Sequence, residues 1–256
     1  MFIINRFGEK LEALWRRPVG NGPFPVVLFV SGFGMDLHES KNSNDEISNQ
    51  LLNKGFATLQ FSFAGCGRSE GNYTEMTLER QAKQVEDMLT WLRQRGDIDN
   101  QRIGIHATSM GVATVLLADF ARCASLCFVA GVYNVNRSIH QVYEEERGVK
   151  IHHEGTTQLP RGSGATTPVG PVFWKSIAAF NVITLIQKLT LPVFLVHGDQ
   201  DTKVSTSEVR EVFDKIPSKE KRLKIFAGGD HGIIDVPRSM REEFLKEVVN
   251  WFRETL

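Results

Sequence analysis

The feature that most constrains this chain is the alternation of short, wholly apolar runs with longer amphipathic stretches. "FPVVLFVSG" (residues 24–32) is the first such run, and "FATLQFSF", "RIGIHA", "SLCFVAG", "LPVFLVHGD" and "RLKIFAG" repeat the theme. A strand that is apolar on both faces must be covered on both faces, which is the condition of a parallel sheet. Between the runs lie helical patterns. "MTLERQAKQVEDMLTWLRQRG" puts Leu78, Val85, Met88, Leu89 and Leu92 on one face and stops at Gly96. "NDEISNQLLNKG", "MGVATVLLADF", "STSEVREVFDKI" and "SMREEFLKEVVNWFRETL" complete the set. The expected class is α/β, with a mostly parallel central sheet covered by helices on both faces. Residues 2–18 alternate apolar and polar around a Gly-Glu-Lys turn and predict an antiparallel hairpin at the sheet edge.

One region breaks the rhythm. About 55 residues separate "FVAGVYN" from "LPVFLVHG", too many for one crossover. They hold a charged helical piece, "IHQVYEEERG", a loop, "QLPRGSGATTPVGP", and the stretch "FWKSIAAFNVITLIQKL". The expected organisation is a core formed by residues 1–135 and 187–256, with residues 136–186 inserted as a cap over the strand ends.

Composition narrows the function classes. The formal net charge is zero, with Lys and Arg spread along the chain. No basic stripe exists to release counterions from a phosphate backbone, so nucleic acid is not an expected partner. Three cysteines cannot build a disulfide framework, and Cys123 and Cys127 lack the companions of a zinc site. The N-terminus meets charges at once and builds no signal-peptide core, and no stretch of about 18 apolar residues is present. A cytoplasmic location without a membrane span is the expectation. Neither cofactor nor metal is expected. "KIHHEG" (His152, His153, Glu154) has no third ligand at helical spacing and is read as a solvated turn.

The chemistry concentrates in "RIGIHATSMGVATVLLA". Ser109 sits where a buried strand gives way to a buried helix, between small residues at Ala107 and Gly111. A sharp strand-to-helix turn lifts a serine hydroxyl clear of the sheet and tolerates only small neighbours. Met110 would offer its N–H at the helix start, where the dipole favours an oxyanion. Equally, serine is a preferred helix N-cap. A nucleophilic serine needs a base, and the base an orienting acid. "FAGGDHGII" places His231 in a Gly-rich loop after the last predicted strand, and "VFLVHGDQDTKV" places Asp199 and Asp201 after the preceding one. The chain order is serine, acid, histidine.

"VVLFVSGFG", "FSFAGCGRSEG", "HATSMGVA", "VHGDQDTKV" and "GGDHGI" together resemble the α/β-hydrolases, most of all the small bacterial carboxylesterases of the feruloyl (cinnamoyl) esterase and monoglyceride-lipase or serine-aminopeptidase type. The resemblance spans the chain outside residues 136–186. It implies a Ser109–His231–Asp201 triad, since the second aspartate of the family's H-G-x-x-D-x-x-V segment orients the histidine. Asp199 is then structural. It implies an oxyanion hole from the N–H groups of Phe33 and Met110. Where the family usually has histidine this chain has Ser31, which changes how that loop is held but not its backbone donor. "FAGCGRSEG" is read as loop structure, with Cys66 lacking any base. Phe173, Trp174 and Phe180 are candidates to line an apolar substrate pocket, or equally to form the small core of residues 136–186.

The implied activity is hydrolysis of small to medium carboxylic esters through an acyl-enzyme. A thioesterase, aminopeptidase or acyltransferase on the same fold, and a non-catalytic binding descendant, remain alternatives. For the aminopeptidase, Glu144 to Glu146 could supply a carboxylate, although such a run is more often a solvated helix face. The expected partner is a small ester. Oligomeric state is not set by the sequence, a homodimer being compatible with it.

Overall fold

The computed structural model describes residues 1–161 and 164–256. In chain order the strands are β1 (Phe2–Ile4), β2 (Lys10–Arg16), β3 (Phe24–Val30), β4 (Ala57–Phe61), β5 (Ile98–Thr108), β6 (Ser125–Val129), β7 (Thr157–Pro160), β8 (Thr166–Val169), β9 (Val193–Gly198) and β10 (Lys221–Phe226). The helices are α1 (Ser43–Leu52), α2 (Leu78–Arg93), α3 (Met110–Leu117), α4 (Pro171–Ala178), α5 (Val182–Ile186), α6 (Thr206–Lys215) and α7 (Arg238–Thr255). Eight strands form one sheet in the order β1-β2-β4-β3-β5-β6-β9-β10. From β4 to β10 every pairing is parallel, while β2 joins β4 and β1 joins β2 antiparallel. The edge hairpin is where the alternation of residues 2–18 predicts it.

The continuous apolar runs are explained by what lies on each side of the sheet. Along β3, Val26, Leu28 and Val30 face one core shared with α2 and α3, while Val27 and Phe29 face a second shared with α1 and α7. Successive side chains of a strand alternate sides, so both sets must be apolar. The α2 face named above is wholly buried. That helix begins at Thr77, whose hydroxyl caps the Arg80 N–H at 3.0 Å. On α7, Phe244, Val248, Trp251 and Phe252 are inserted into the second core. Each such burial removes enough apolar area to contribute about 1.5–3 kcal/mol.

Residues 136–186 are built differently. Asn136–Glu146 winds as a wide helix, and the Arg147 N–H that ends it donates to Val142 O, five residues back, at 3.2 Å. The stretch read from the sequence as a loop is instead partly a hairpin, with β7 antiparallel to β8 from Thr157↔Val169 to Pro160↔Thr166. Thr157, Leu159, Thr167 and Val169 are buried at period two, a pattern that the intervening Gly and Pro residues mask. Gly162 and Ser163 in that stretch lie outside the described residues. The segment rests on the core near the carboxyl ends of the strands. Phe173 of α4 meets the Phe33 ring at 5.6 Å, and a β-carbon at Gly170 would collide with Thr74 O.

Candidate active site

The carboxyl ends of β3, β5, β9 and β10 converge on one point. β5 delivers Ser109 in a sharp turn, at φ 55° and ψ −125°. A positive φ at a non-glycine residue is strained by about 1–3 kcal/mol and persists only where its surroundings enforce it. Here the Ser109 N–H donates to Val129 O at 2.9 Å and its carbonyl accepts from Val132 N at 3.1 Å. The side chain makes no capping hydrogen bond. Instead its Oγ lies 2.9 Å from His231 Nε2. Ser109 occupies the cap position by backbone alone, and its hydroxyl is directed elsewhere.

The flanking small residues now have separate reasons. A β-carbon at Gly111 would come within 2.5 Å of Val30 O and 2.7 Å of Ser31 O, so α3 packs there against the β3 backbone itself. Ala107 is fully buried in β5, between Val30 of β3 and Phe128 of β6, and its methyl is accommodated.

His231 follows β10 in a loop held from several directions. Asp230 accepts from the N–H groups of Ile234 (2.6 Å) and Asp235 (3.0 Å), and Arg241 Nη1 donates to Ile233 O at 2.8 Å. His231 Nδ1 lies 2.7 Å from Asp201 Oδ2. The other carboxylate oxygen accepts from the N–H groups of Lys203 (2.8 Å) and Val204 (3.1 Å). Burial pushes the Asp201 carboxyl up, but the hydrogen bond and charge of His231 and the Lys203 N–H outweigh it. The net effect holds Asp201 below the usual carboxylate range. An ionised Asp201 fixes a proton on Nδ1 and leaves the Nε2 lone pair facing Ser109. Asp199 is not in this chain of contacts. It accepts from Gly228 N at 2.7 Å, tying the loop after β9 to the loop after β10.

On the other side of Ser109 lies the loop after β3. A β-carbon at Gly32 would stand 3.1 Å from Ser109 Cβ, which measures how closely this loop approaches. Among the described residues neither the Phe33 nor the Met110 N–H donates to a protein acceptor. Ser31, at the position usually histidine, accepts from Asn44 Nδ2 of α1 at 3.1 Å.

The other sequence candidates fall as follows. Phe173 is buried against Phe33, Trp174 is buried edge-on to His140 at 5.6 Å, and Phe180 is only partly buried against the core. Cys66 is buried, and desolvation pushes its thiol up to about 12, so it carries no thiolate at neutral pH. His152, His153 and Glu154 are exposed, as are Glu144, Glu145 and Glu146. Two residues that the sequence reading passed over lie against the loop after β3. Glu39 is buried with its Oε2 2.6 Å from Gly32 N, and Arg161 reaches from the β7–β8 hairpin to Phe33 O at 2.7 Å. No spacing rule joins positions 39 and 161 to 33. The one available signal is a Gly-Phe-Gly loop too pliable to hold itself.

Comparison with known proteins agrees with this architecture. A family model described as X-Pro dipeptidyl-peptidase (S15 family) matches residues 8–158, more than half of the chain. The chain belongs to this family. Its fold is that of the α/β-hydrolases. A second model, described as serine aminopeptidase, S33, matches residues 177–235. An uncharacterized 31.7 kDa protein of the traX-finO intergenic region of Escherichia coli is 28% identical over 114 residues, 44% of this chain and 39% of that protein. The match thus spans about two fifths of that relative's length. Palmitoyl-protein thioesterase ABHD10, mitochondrial, of Mus musculus is 23% identical over 216 residues, 82% of this chain and 70% of the mouse protein. Among solved structures, ferulic acid-bound Est1E from Butyrivibrio proteoclasticus superposes with a TM-score of 0.82 at 22% identity, covering 100% of this chain and 98% of the other. A monoacylglycerol lipase of Paleococcus ferrophilus gives 0.71 at 16% identity, covering 96% and 99%. These two structures share the fold. No helix among the described residues is long and apolar enough to cross a membrane.

Proposed function

We propose that the protein hydrolyses carboxylic esters of small to medium size through an acyl-enzyme on Ser109. The observation that carries this reading is the line of contacts from strained Ser109 to His231 Nε2 (2.9 Å) and from His231 Nδ1 to buried Asp201 (2.7 Å). His231 takes the Ser109 proton as Oγ attacks the ester carbonyl. The oxyanion that forms is met by the N–H groups of Phe33 and Met110, the latter at the positive end of α3. His231 then gives its proton to the departing alcohol. In the second half a water molecule, deprotonated by His231, attacks the acyl carbon and Ser109 leaves with the proton. Asp201 stays ionised throughout and stabilises the transient imidazolium.

Residues 136–186 act in this reading as a cap over the site, with Phe173, beside Phe33, forming part of an apolar wall. Peptide hydrolysis from a free N-terminus would need a carboxylate beside Ser109 to hold an ammonium. Glu39 already accepts from the Gly32 and Ser40 N–H groups, and Glu144 to Glu146 are exposed. One second reading has a specific support. The mouse relative, covering 82% of this chain, is described as a thioesterase, and the same machinery serves a thioester.

The test is a panel of p-nitrophenyl esters of graded chain length, methyl ferulate and an acyl-CoA, run with Ser109→Ala as the blank. Oxygen-ester turnover and fluorophosphonate labelling, both lost in Ser109→Ala, are expected. Labelling that persists in that variant overturns the assignment, and a preference for acyl-CoA selects the second reading.

A further inference from the structure

The loop that presents the Phe33 N–H reads Ser31-Gly32-Phe33-Gly34, with glycine on both sides of the donor residue. Glycine adds backbone freedom, and Gly34 sits at φ 63°. The Gly32–Phe33 peptide itself carries one long turn bond, Met35 N to Gly32 O at 3.3 Å, and with glycine on both sides of Phe33 that contact alone leaves it room to tilt its N–H away from Ser109. A donor that must stand about 2.7–3.1 Å from the oxyanion cannot be left so loose, since preorganisation is where such groups gain their effect.

The two neighbouring peptides are each held by a side chain, a carboxyl on one side and a guanidinium on the other. On one side, the Gly32 N–H donates to Glu39 Oε2 at 2.6 Å, and Glu39 Oε1 accepts from its neighbour Ser40 N at 3.1 Å. Glu39 is buried, which pushes its carboxyl up, with the Gly32 and Ser40 N–H groups and the nearby His231 acting in the opposite direction. On the other side, Arg161 Nη2 donates to Phe33 O at 2.7 Å. Its Nε donates to Thr167 Oγ1 at 2.6 Å, and its guanidinium lies 5.0 Å from the centre of the Phe33 ring. A β-carbon at Gly34 would collide with that guanidinium, so the second glycine makes room for Arg161. Between the two held peptides, the Phe33 N–H has no protein acceptor among the described residues.

We propose that Glu39 and Arg161 are positioning residues that pin the peptides on either side of the Gly32–Phe33 bond and so aim the Phe33 N–H at the reacting oxygen. The inference rests on the ester-hydrolase reading. It gives the segment 136–186 a part in the chemistry beyond covering the site, because Arg161 belongs to the β7–β8 hairpin. The Arg161 bond to Phe33 O is charge-assisted, a class shorter and stronger than neutral hydrogen bonds.

The test compares Glu39→Ala, Glu39→Gln and Arg161→Met in the full chain. It measures kcat and KM on the best p-nitrophenyl ester, inhibition by a trifluoromethyl ketone of matching acyl chain, and thermal midpoint. The ketone binds as a tetrahedral oxyanion adduct and so reports the donor directly. Glu39→Ala and Arg161→Met are expected to lower kcat by about tenfold to a hundredfold with KM little changed. Their ketone inhibition constants should rise in parallel. Glu39→Gln, whose amide oxygen still accepts from Gly32 N–H, should recover most of the loss. Should Glu39→Ala fail to fold, Arg161→Met, altering a partly exposed side chain, carries the test with Glu39→Gln as control. Wild-type kcat and ketone affinity in both truncations, or a loss confined to KM, overturns the proposal. Failure of the underlying reading looks different: wild-type turnover would then survive in Ser109→Ala.

Discussion

The eight-stranded core and the segment 136–186 obey different rules. In the core β3, β4, β5, β6 and β9 are buried over most of their length, and two apolar clusters lie on opposite faces of the sheet. In residues 136–186 the strands have four residues each, the helical pieces are short or wide, and Val172 and Ile183 stand exposed. The core is buried on both faces of its sheet, whereas the segment adds side chains such as Phe173, Ile177 and Ile186 to one of the two clusters and reaches the loop after β3 by specific contacts such as Arg161 to Phe33 O. The difference teaches where to look for control of rate and where for control of stability.

The largest expected effect falls on the core residues proposed to react. Ser109→Ala and His231→Ala should each lower kcat by about 10⁴-fold or more while the thermal midpoint stays near wild type, read by ester hydrolysis and calorimetry. Next come the two aspartates after β9, which differ in partner and in burial. Asp201→Asn should cost about 10³- to 10⁴-fold in kcat by favouring the wrong histidine tautomer. Asp199→Asn should leave turnover within about tenfold, an effect smaller than loss of a reacting group. Equal losses from the two would break the assignment of the orienting acid.

Stability gives the third contrast. Phe252→Ala, at a fully buried position of α7, should destabilise by about 3–5 kcal/mol in urea titration. Ile183→Ser in the segment should change stability by no more than about 0.5 kcal/mol, because that side chain is exposed. A large loss from Ile183→Ser would mean that the segment is as integral to folding as the sheet.

The smallest effect is one of pH. Burial raises the Glu39 carboxyl, so the folded state holds its proton more tightly than the unfolded chain does. The cost of the buried charge is therefore fully present above the folded value and fades as pH falls through it. Glu39→Gln should raise the urea midpoint at about pH 8, and the gain should shrink toward about pH 5. Asp201 has the opposite sign. Its depressed carboxyl contributes stability at neutral pH that is lost only below the ordinary carboxylate range, so Asp201→Asn should flatten that acid limb. A gain for Glu39→Gln that grows on acidification would contradict the first of these.

The parts of the molecule that sequence made legible are those in which one residue pattern has one physical solution. Period-two and wholly apolar runs gave β1 to β6, β9 and β10, and the 3.6-residue pattern gave α2 and α7, because burial on a regular element leaves a regular trace. The charged helical piece was legible but its wide winding was not, and the β7–β8 hairpin escaped because its pattern is short and interrupted by turn residues. At the site, the types and order of Ser109, Asp201 and His231 stand in the sequence. Their meeting within 2.9 Å and 2.7 Å was decided by where β5, β9 and β10 end in the sheet.

The doubt over whether Ser109 merely caps a helix is also one that sequence leaves open, since a capping serine and an elbow serine share the same neighbours. Its φ of 55° and the absence of a capping bond distinguish them. The chain's own residue order determined the α/β class, the sheet-covering helices and the identity of the polar groups at the strand ends. Only the tertiary structure brought Glu39 and Arg161, 122 residues apart by their own numbering, onto one four-residue loop. The physical reason is that periodicity records burial against a continuous surface. A single hydrogen bond between distant segments leaves no periodic mark.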